Sequence, residues 1–200
     1  MTRVVAGAIG TVVVLLMGGL IFIFSGIFDV SADAPHWPVT RKIMETVRDR
    51  SVEVRARAVS VPNLSDDQAI LKGAGQYAAM CANCHLAPGQ ESSEIRPGLY
   101  PQPPDLSKHA VDPKTAFWVI KHGIKMSGMP AWGHSHDDAT LWSIVAFMQK
   151  LPGMPAEQYK EMVAKAPTGE HAESADRSPD DHSEKNAASG KAGSKAKHKH

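Results

Sequence analysis

Apolar residues are concentrated at the beginning of the chain, where residues 4–28 include no ionisable side chain. At 1.5 Å per residue, a helix of about 25 residues is roughly 37 Å long, which exceeds the roughly 30 Å hydrocarbon core of a bilayer. The pattern therefore predicts a transmembrane helix, and we assign residues 1–30 to a membrane anchor.

A cleaved signal peptide is the alternative interpretation of this segment, because residues 32–34 have a small-x-small sequence. The apolar part of a signal peptide is normally about 7 to 15 residues long, and Pro35 directly after the site also disfavours cleavage. Arg3 precedes the apolar stretch and Asp29 follows it. The positive-inside rule then predicts a single pass through the cytoplasmic membrane, with a cytoplasmic N-terminus and a periplasmic remainder.

Residues 41–58 combine apolar positions at near-helical spacing with more basic than acidic side chains. This pattern predicts a basic helix capped by Thr40, within a juxtamembrane segment that we place at residues 31–64. The helix either contacts anionic lipid headgroups or an acidic partner, or it is a solvated spacer that rests on the next domain. The apolar positions are Ile43, Val47, Val54 and Ala58.

A compact all-α domain is predicted at residues 65–155, with three main helices joined by two long loops. A capping box formed by Ser65 and Gln68 begins the first helix, and Gly123 ends the second. The loop at residues 86–112 is rich in proline and glycine. The helices are expected from Ser65 to about Met80, from Asp112 to Gly123, and from Asp137 to about Leu151.

Residues 156–200 are predicted to be a short helix end followed by a disordered tail. Beyond about residue 166 the chain consists largely of alanine, serine, glycine, histidine and charged residues, which bury too little apolar surface to offset the entropy of ordering. Histidines in a flexible tail also raise metal handling as an alternative function. They are His171, His182, His198 and His200.

Charge and cysteine content exclude several classes of protein. The formal net charge is +1 and no nucleic-acid-binding motif is present, so no nucleic-acid partner is expected. The chain has 2 cysteines, which excludes a scaffold held by several disulfides. The role of these cysteines must be local.

Cys81 and Cys84 are followed directly by His85, which is the attachment pattern of c-type haem. In such proteins the thiols add to the porphyrin vinyl groups and the adjacent imidazole reaches the iron. Two intervening residues let both sulfurs meet one edge of the macrocycle. The pattern predicts one covalently attached haem c, with His85 as an iron ligand.

Three other roles are open to the two cysteines, namely half of a zinc site, a redox dithiol and a bare disulfide. Half of a zinc site would need a second ligand pair at suitable spacing, which the sequence lacks. A redox dithiol would be expected at a strand-to-helix turn and not at a helix end. A bare disulfide remains the third alternative.

Together with this motif, residues 65–151 resemble a class I c-type cytochrome, a small all-α haem domain. The resemblance also rests on the Gly73 to Tyr77 spacing, on an aromatic-rich last helix and on a methionine loop at residues 126–133. It implies that the first and last helices cross at Gly73, with the glycine and Tyr77 packed against Trp142 or Phe147.

The resemblance further implies a second axial ligand, and Met129 is the best candidate. It lies between a glycine, which permits close approach to a planar group, and a proline, which stiffens the chain. By the same resemblance, the Pro104 carbonyl accepts the ring proton of His85, and Leu106 covers the haem. The alternative axial ligands are Met126, His122, His134 and His136.

With both axial positions filled, the resemblance implies a one-electron carrier, neither an enzyme nor a protein with a small-molecule substrate. Its expected partners are the lipid bilayer and redox proteins, namely a quinol-oxidising complex, a dehydrogenase or a terminal oxidase. The alternative is a haem c subunit of a larger membrane oxidoreductase complex.

Overall fold

A computed structural model describes residues 2–167 of the chain. The part of the chain that it describes is helical and has no strands, which confirms the all-α prediction. The predicted disordered tail with its histidines lies outside these residues. The helices are α1 (Thr2–Phe24), α2 (Pro38–Ala56), α3 (Asp67–Met80), α4 (Ala82–His85), α5 (Pro113–His122), α6 (Asp138–Met148) and α7 (Ala156–Lys165), with 3-10 turns at Arg96–Gly98 and Trp132–His134.

Helix α1 is the apolar N-terminal helix; it has 23 residues, and its most apolar 18-residue stretch has a mean hydropathy of 2.5. At 1.5 Å per residue it is about 34 Å long, enough to cross a bilayer. None of its residues is buried in the described structure, as expected for a membrane anchor. It ends before the predicted residue 28, because the Ser25 hydroxyl bonds the Phe22 carbonyl and Gly26 adopts a φ of 68°.

Helix α2 begins at Pro38, so the predicted Thr40 cap is wrong. Proline is favoured at the first helical position because its φ is already helical and its missing N–H has no helical partner there. The apolar positions recognised in the sequence do not form the packing face either, since Val47 and Val54 are 60% and 55% exposed. Another residue, Ala56, is 4% exposed on the side of α2 that packs against α5.

The N-terminus of α3 also differs from the prediction. Asp66, and not Ser65, is the N-cap, and its carboxylate accepts the Gln68 N–H at 3.0 Å. The Ser65 N–H is itself bonded to the Asn63 side chain at 3.0 Å, so Ser65 belongs to the preceding turn. By contrast, α5 and α6 start one residue after the predicted positions Asp112 and Asp137, which are their N-caps.

Helices α3 and α6 cross closely at Gly73. A Cβ atom added there would lie 2.6 Å from the Ser143 carbonyl carbon and 2.9 Å from the Phe147 Cβ atom. The Tyr77 ring packs 5.5 Å from the Phe147 ring, between ring centroids. Trp142 has a different partner, since it stacks on Phe117. The crossing that the resemblance implies is therefore present, with Phe147 as the aromatic partner.

Helix α7 packs on this helix pair, which the sequence did not indicate beyond a short helix end after residue 155. The Tyr159 ring lies 6.2 Å from the Phe147 ring, and Met162 and Val163 also pack against the core. These three residues follow the i, i+3, i+4 spacing of one helix face. That spacing is the signal that could have revealed α7.

Candidate haem site

A cavity of about 530 Å³ lies beside the end of α3, within the range of small-molecule and cofactor sites. Its walls come from α2, α3, α4, α5, α6 and the loops that follow α4 and α5. The lining is mostly apolar and includes Met80, Cys81, Cys84, His85, Leu99, Pro103, Pro104, Leu106, Val111, Ala116, Val119, Ile120, Ile124, Met129, Trp132 and Met148.

The two cysteines reach the cavity because a short helix follows α3 directly. The Cys81 N–H donates to the Tyr77 carbonyl at 2.9 Å, which closes the last turn of α3. The His85 N–H then donates to the Cys81 carbonyl at 2.8 Å. This single turn brings Cys81, Cys84 and His85 to one cavity wall. Attachment of haem c at this motif requires both sulfurs and the imidazole to face the same cavity, and this turn places them so.

The state of the thiols argues against the other interpretations of the motif. Both cysteines are free, so they form no disulfide. Burial, with a smaller contribution from Cys84, raises the pKa of Cys81 to about 12, which disfavours the thiolate of a redox dithiol. Residues 2–167 also contain no group of three or more His, Cys, Asp or Glu side chains placed to hold a metal ion.

His85 is held in one orientation by the loop that follows α4. Its Nδ1 atom lies 2.9 Å from the Pro104 carbonyl oxygen, so Nδ1 carries the proton and Nε2 keeps its lone pair. Burial lowers the pKa of His85, an effect that the Pro104 bond opposes and the Arg96 charge reinforces. The ring is therefore neutral at pH 7, as an iron ligand must be.

Leu106 is fixed beside the same histidine. Its backbone N–H donates to the His85 carbonyl at 3.1 Å, and its side chain is buried in the cavity wall. Tyr77 anchors the other end of this turn by donating its hydroxyl to the Leu86 carbonyl at 2.6 Å. The turn after Cys84 is thus tied both to α3 and to the proline loop.

Met129 lines the cavity from the loop after α5. The Met129 carbonyl accepts the Ile124 N–H at 3.1 Å, and its N–H donates to the Ser127 hydroxyl at 3.2 Å, which closes a tight turn around Gly128. Of the candidates raised from the sequence for the second axial position, Met129 alone lies in the lining. Met126 is 93% exposed, and His122, His134 and His136 lie outside the lining.

Sequence reasoning missed two methionines and two charged residues of the lining. Met80, at the end of α3, directly precedes the attachment motif, and Met148 ends α6. Glu45 and Arg48 come from α2, outside the predicted haem domain. The sequence gives no local signal for this pair, because they lie more than 30 residues before the cysteines.

The lining fits a covalently bound haem. It offers two thiols for the vinyl groups, a neutral imidazole with a free Nε2, a thioether and an apolar surround. Arg96 is also placed nearby, since its charge acts on His85 and its buried Nε atom has no hydrogen-bond partner in the described residues. Such an unsatisfied donor suits a group with acidic oxygens.

Residues 68–148 match the family model described as cytochrome c oxidase, cbb3-type, subunit III. No curated protein and no solved structure matches the chain. The matched segment begins within α3 and ends with α6, and it contains Cys81, Cys84, His85 and Met129. Helices α1, α2 and α7 lie outside it.

Proposed function

Because residues 68–148 form a class I c-type cytochrome domain, which carries covalently bound haem c, we propose that the protein is a membrane-anchored monohaem electron carrier. It moves one electron at a time on the periplasmic side of the cytoplasmic membrane. The observation that carries this proposal is the single cavity lined by both motif cysteines, His85 and Met129.

Haem c supplies a one-electron iron couple, and the chain supplies its attachment and ligands. Cys81 and Cys84 would hold the haem by adding one S–H bond each across a vinyl group, so that sulfur bonds one carbon and hydrogen the other. His85 would offer Nε2 to the iron, because its Nδ1 proton is held by Pro104. Met129 would offer its thioether sulfur as the second protein ligand.

Pro104 and Leu106 act through the residues that hold the haem. The Pro104 carbonyl fixes the tautomer and ring orientation of His85, which makes Nε2 a stronger donor. Leu106 excludes water from the cavity beside that ring. Both residues are therefore positioning residues for the axial histidine.

With His85 and Met129 as its protein ligands, the iron would have no position free for oxygen or a substrate, which favours electron transfer over catalysis. A thioether ligand also raises the reduction potential relative to two imidazoles. The expected partners are redox proteins, namely a quinol-oxidising complex or dehydrogenase as donor and a terminal oxidase as acceptor.

Anchoring is supported by α1, whose apolar length suits one membrane pass. Arg3 before the apolar stretch and Asp29 after it favour a cytoplasmic N-terminus. The haem domain is then periplasmic, where attachment of c-type haem and contact with membrane-bound redox complexes are both available.

The test uses the full chain, expressed with haem-attachment machinery and purified in detergent. Haem absorption should remain with the polypeptide after denaturation, and the native ferric protein should show a sulfur-to-iron charge-transfer band. Met129→Leu should abolish that band, while the exposed Met126→Leu should keep it. Denatured protein without haem would overturn the proposed function, and the reverse result for the two variants would overturn the ligand assignment.

A haem c subunit of a larger membrane oxidoreductase is the second candidate. The matched family is described as a subunit of an oxidase, and this description favours a partner chain that carries the catalytic residues. Gentle detergent extraction from native membranes separates the two candidates. Stoichiometric partners that co-purify with the chain would establish the subunit, and a haem protein that elutes alone would establish the freestanding carrier.

A further inference from the structure

Helix α2 turns one continuous stripe towards the cytochrome domain. Glu45, Arg48, Val52 and Ala56 are spaced by three, four and four residues, so they lie on one face of the helix. Val52 and Ala56 are 9% and 4% exposed where α2 packs on α5. The first two residues of the stripe continue this face into the lining of the haem cavity.

Arg48 is the one lysine or arginine among the described residues that line this cavity. Its Nε atom donates to Asp49 at 2.8 Å, and its other N–H donors have no partner in residues 2–167. Its side chain is 37% exposed, which places the guanidinium at the cavity edge and not in its depth. Glu45 is already paired with Arg41 at 3.0 Å.

A second contact ties the N-terminal segment to the cavity. The His36 N–H donates to the Tyr100 hydroxyl at 3.3 Å, and the two rings lie 5.3 Å apart between centroids. Tyr100 lies between Leu99 and Pro101, which both line the cavity. The segment between the anchor and the matched domain therefore meets the haem cavity at two places.

We propose that Arg48, on the α2 wall of the haem cavity, binds a propionate carboxylate of the haem. This inference rests on the proposed function only in needing haem in the cavity, and it does not depend on Met129. A carboxylate at the edge of an apolar cavity needs a charged hydrogen-bond partner, and a guanidinium can bind it through two parallel N–H bonds. Of the stripe residues, Arg48 alone has both the charge and the unused donors.

The charge of Arg48 would also change the reduction potential of the haem iron. Reduction lowers the positive charge of the iron centre by one, so a nearby cation favours the ferrous state and a nearby anion favours the ferric state. Arg48 therefore raises the reduction potential, and Glu45 lowers it. Because Arg48 is partly solvent-exposed, water screens part of this effect.

The experiment compares Arg48→Gln with Arg50→Gln in the haem-loaded full chain. Arg50→Gln removes the same charge from the same helix. At 100° per residue, however, Arg50 lies roughly 150° around the helix from the stripe, and its side chain is 68% exposed. Arg48→Gln should shift the ferric–ferrous equilibrium about threefold towards ferric, or about 28 mV at 59 mV per tenfold change. Arg50→Gln should leave the potential unchanged, since Glu53 keeps Arg57 as a partner.

A second readout reports on the propionates directly. The propionate bending modes in the resonance Raman spectrum should shift in Arg48→Gln and stay unchanged in Arg50→Gln. Arg48→Lys keeps the positive charge but loses the two parallel N–H donors of the guanidinium. It should therefore retain the reduction potential and still shift the propionate modes. Glu45→Gln should raise the potential. These last two variants keep the test decisive if Arg48→Gln does not accumulate with haem.

Arg96 is the competing partner, because its buried Nε atom lacks a hydrogen bond. Propionate modes that shift in Arg96→Gln and not in Arg48→Gln would overturn the assignment. So would equal potentials for the Arg48 and Arg50 variants. The charge-transfer band is recorded for every variant, so loss of the axial sulfur, which concerns the proposed function, is distinguished from loss of the propionate contact.

Discussion

The haem cavity has two sides that are built differently. On one side, α3 and α6 cross at Gly73 with backbone against backbone, and the end of α3 delivers Cys81 to the cavity. On the other side, α2 rests on α5 through Val52 and Ala56 and offers charged side chains. Because the two backbones touch on the first side, a larger side chain there cannot be accommodated without moving a helix. We therefore expect substitutions at the α3–α6 crossing to affect folding and haem attachment, and substitutions in α2 to affect mainly the reduction potential.

The largest effect is expected at the helix crossing. Gly73→Ala places a methyl group against the backbone carbonyl of Ser143, which must push α6 away from α3. Overpacking of this kind typically costs about 1 to 3 kcal/mol, and backbone contact puts this site at the upper end. Chemical denaturation and the yield of haem-loaded protein measure it. Gly98→Ala, with nothing within 4 Å of the added group, is the control. Equal stability of the two variants would contradict the rigid crossing.

Detaching α2 should have a smaller global effect. Ala56→Glu puts a carboxylate into the buried α2–α5 contact, and because burying an unpaired charge costs more than separating the two helices, α2 should detach from α5. Because the α3–α6 side is untouched, haem should still attach while α2 loses protection from amide hydrogen exchange. Val54→Glu, at a 55% exposed position, should leave that protection in place. Loss of haem from Ala56→Glu would show that the two sides are not separable.

A third prediction concerns the hydrogen bond that the Tyr77 hydroxyl makes on the α3 side of the cavity. Tyr77→Phe removes the hydroxyl that bonds the Leu86 carbonyl and leaves that buried carbonyl unpaired, at a cost of about 1 kcal/mol. The free energy of unfolding measures the change. Tyr159→Phe is the matched control, because the Tyr159 hydroxyl has no hydrogen bond within residues 2–167. An equal loss in both variants would point to ring packing as the cause.

The smallest effect is a pH dependence at the start of α6. The Thr140 hydroxyl and backbone N–H bond the Asp137 carboxylate and lower its pKa. The carboxylate therefore stabilises the fold above its unfolded pKa of about 3.9, and this contribution is lost as the pH falls through the lower, folded value. Asp137→Asn should flatten the pH dependence of the denaturation midpoint below about pH 4. A constant difference from the wild type between pH 7 and pH 3 would contradict this.

The sequence predicted the elements whose signals are local. The starts of α5 and α6 were predicted to within one residue because an aspartate, which proves to be the N-cap, stands directly ahead of each helix. The predicted Ser65 cap was wrong because Asp66, one residue later, accepts the Gln68 N–H that a Ser65 cap would need, while Asn63 accepts the Ser65 N–H. The packing face of α2 was predicted wrongly for a different reason. Helical spacing of apolar residues identifies one face of a helix, but it does not show whether another part of the protein covers that face.

The haem motif itself was determined by the sequence, because its cysteines and histidine lie within one turn and their chemistry needs that spacing. The apolar length of α1 was likewise determined by sequence alone. Only the tertiary structure decided that α7 covers α3, that Met126 points away from the cavity while Met129 lines it, and that Glu45 and Arg48 belong to the lining. The reason is physical: these relations join residues far apart in the chain, and packing, not local pattern, decides which of them meet.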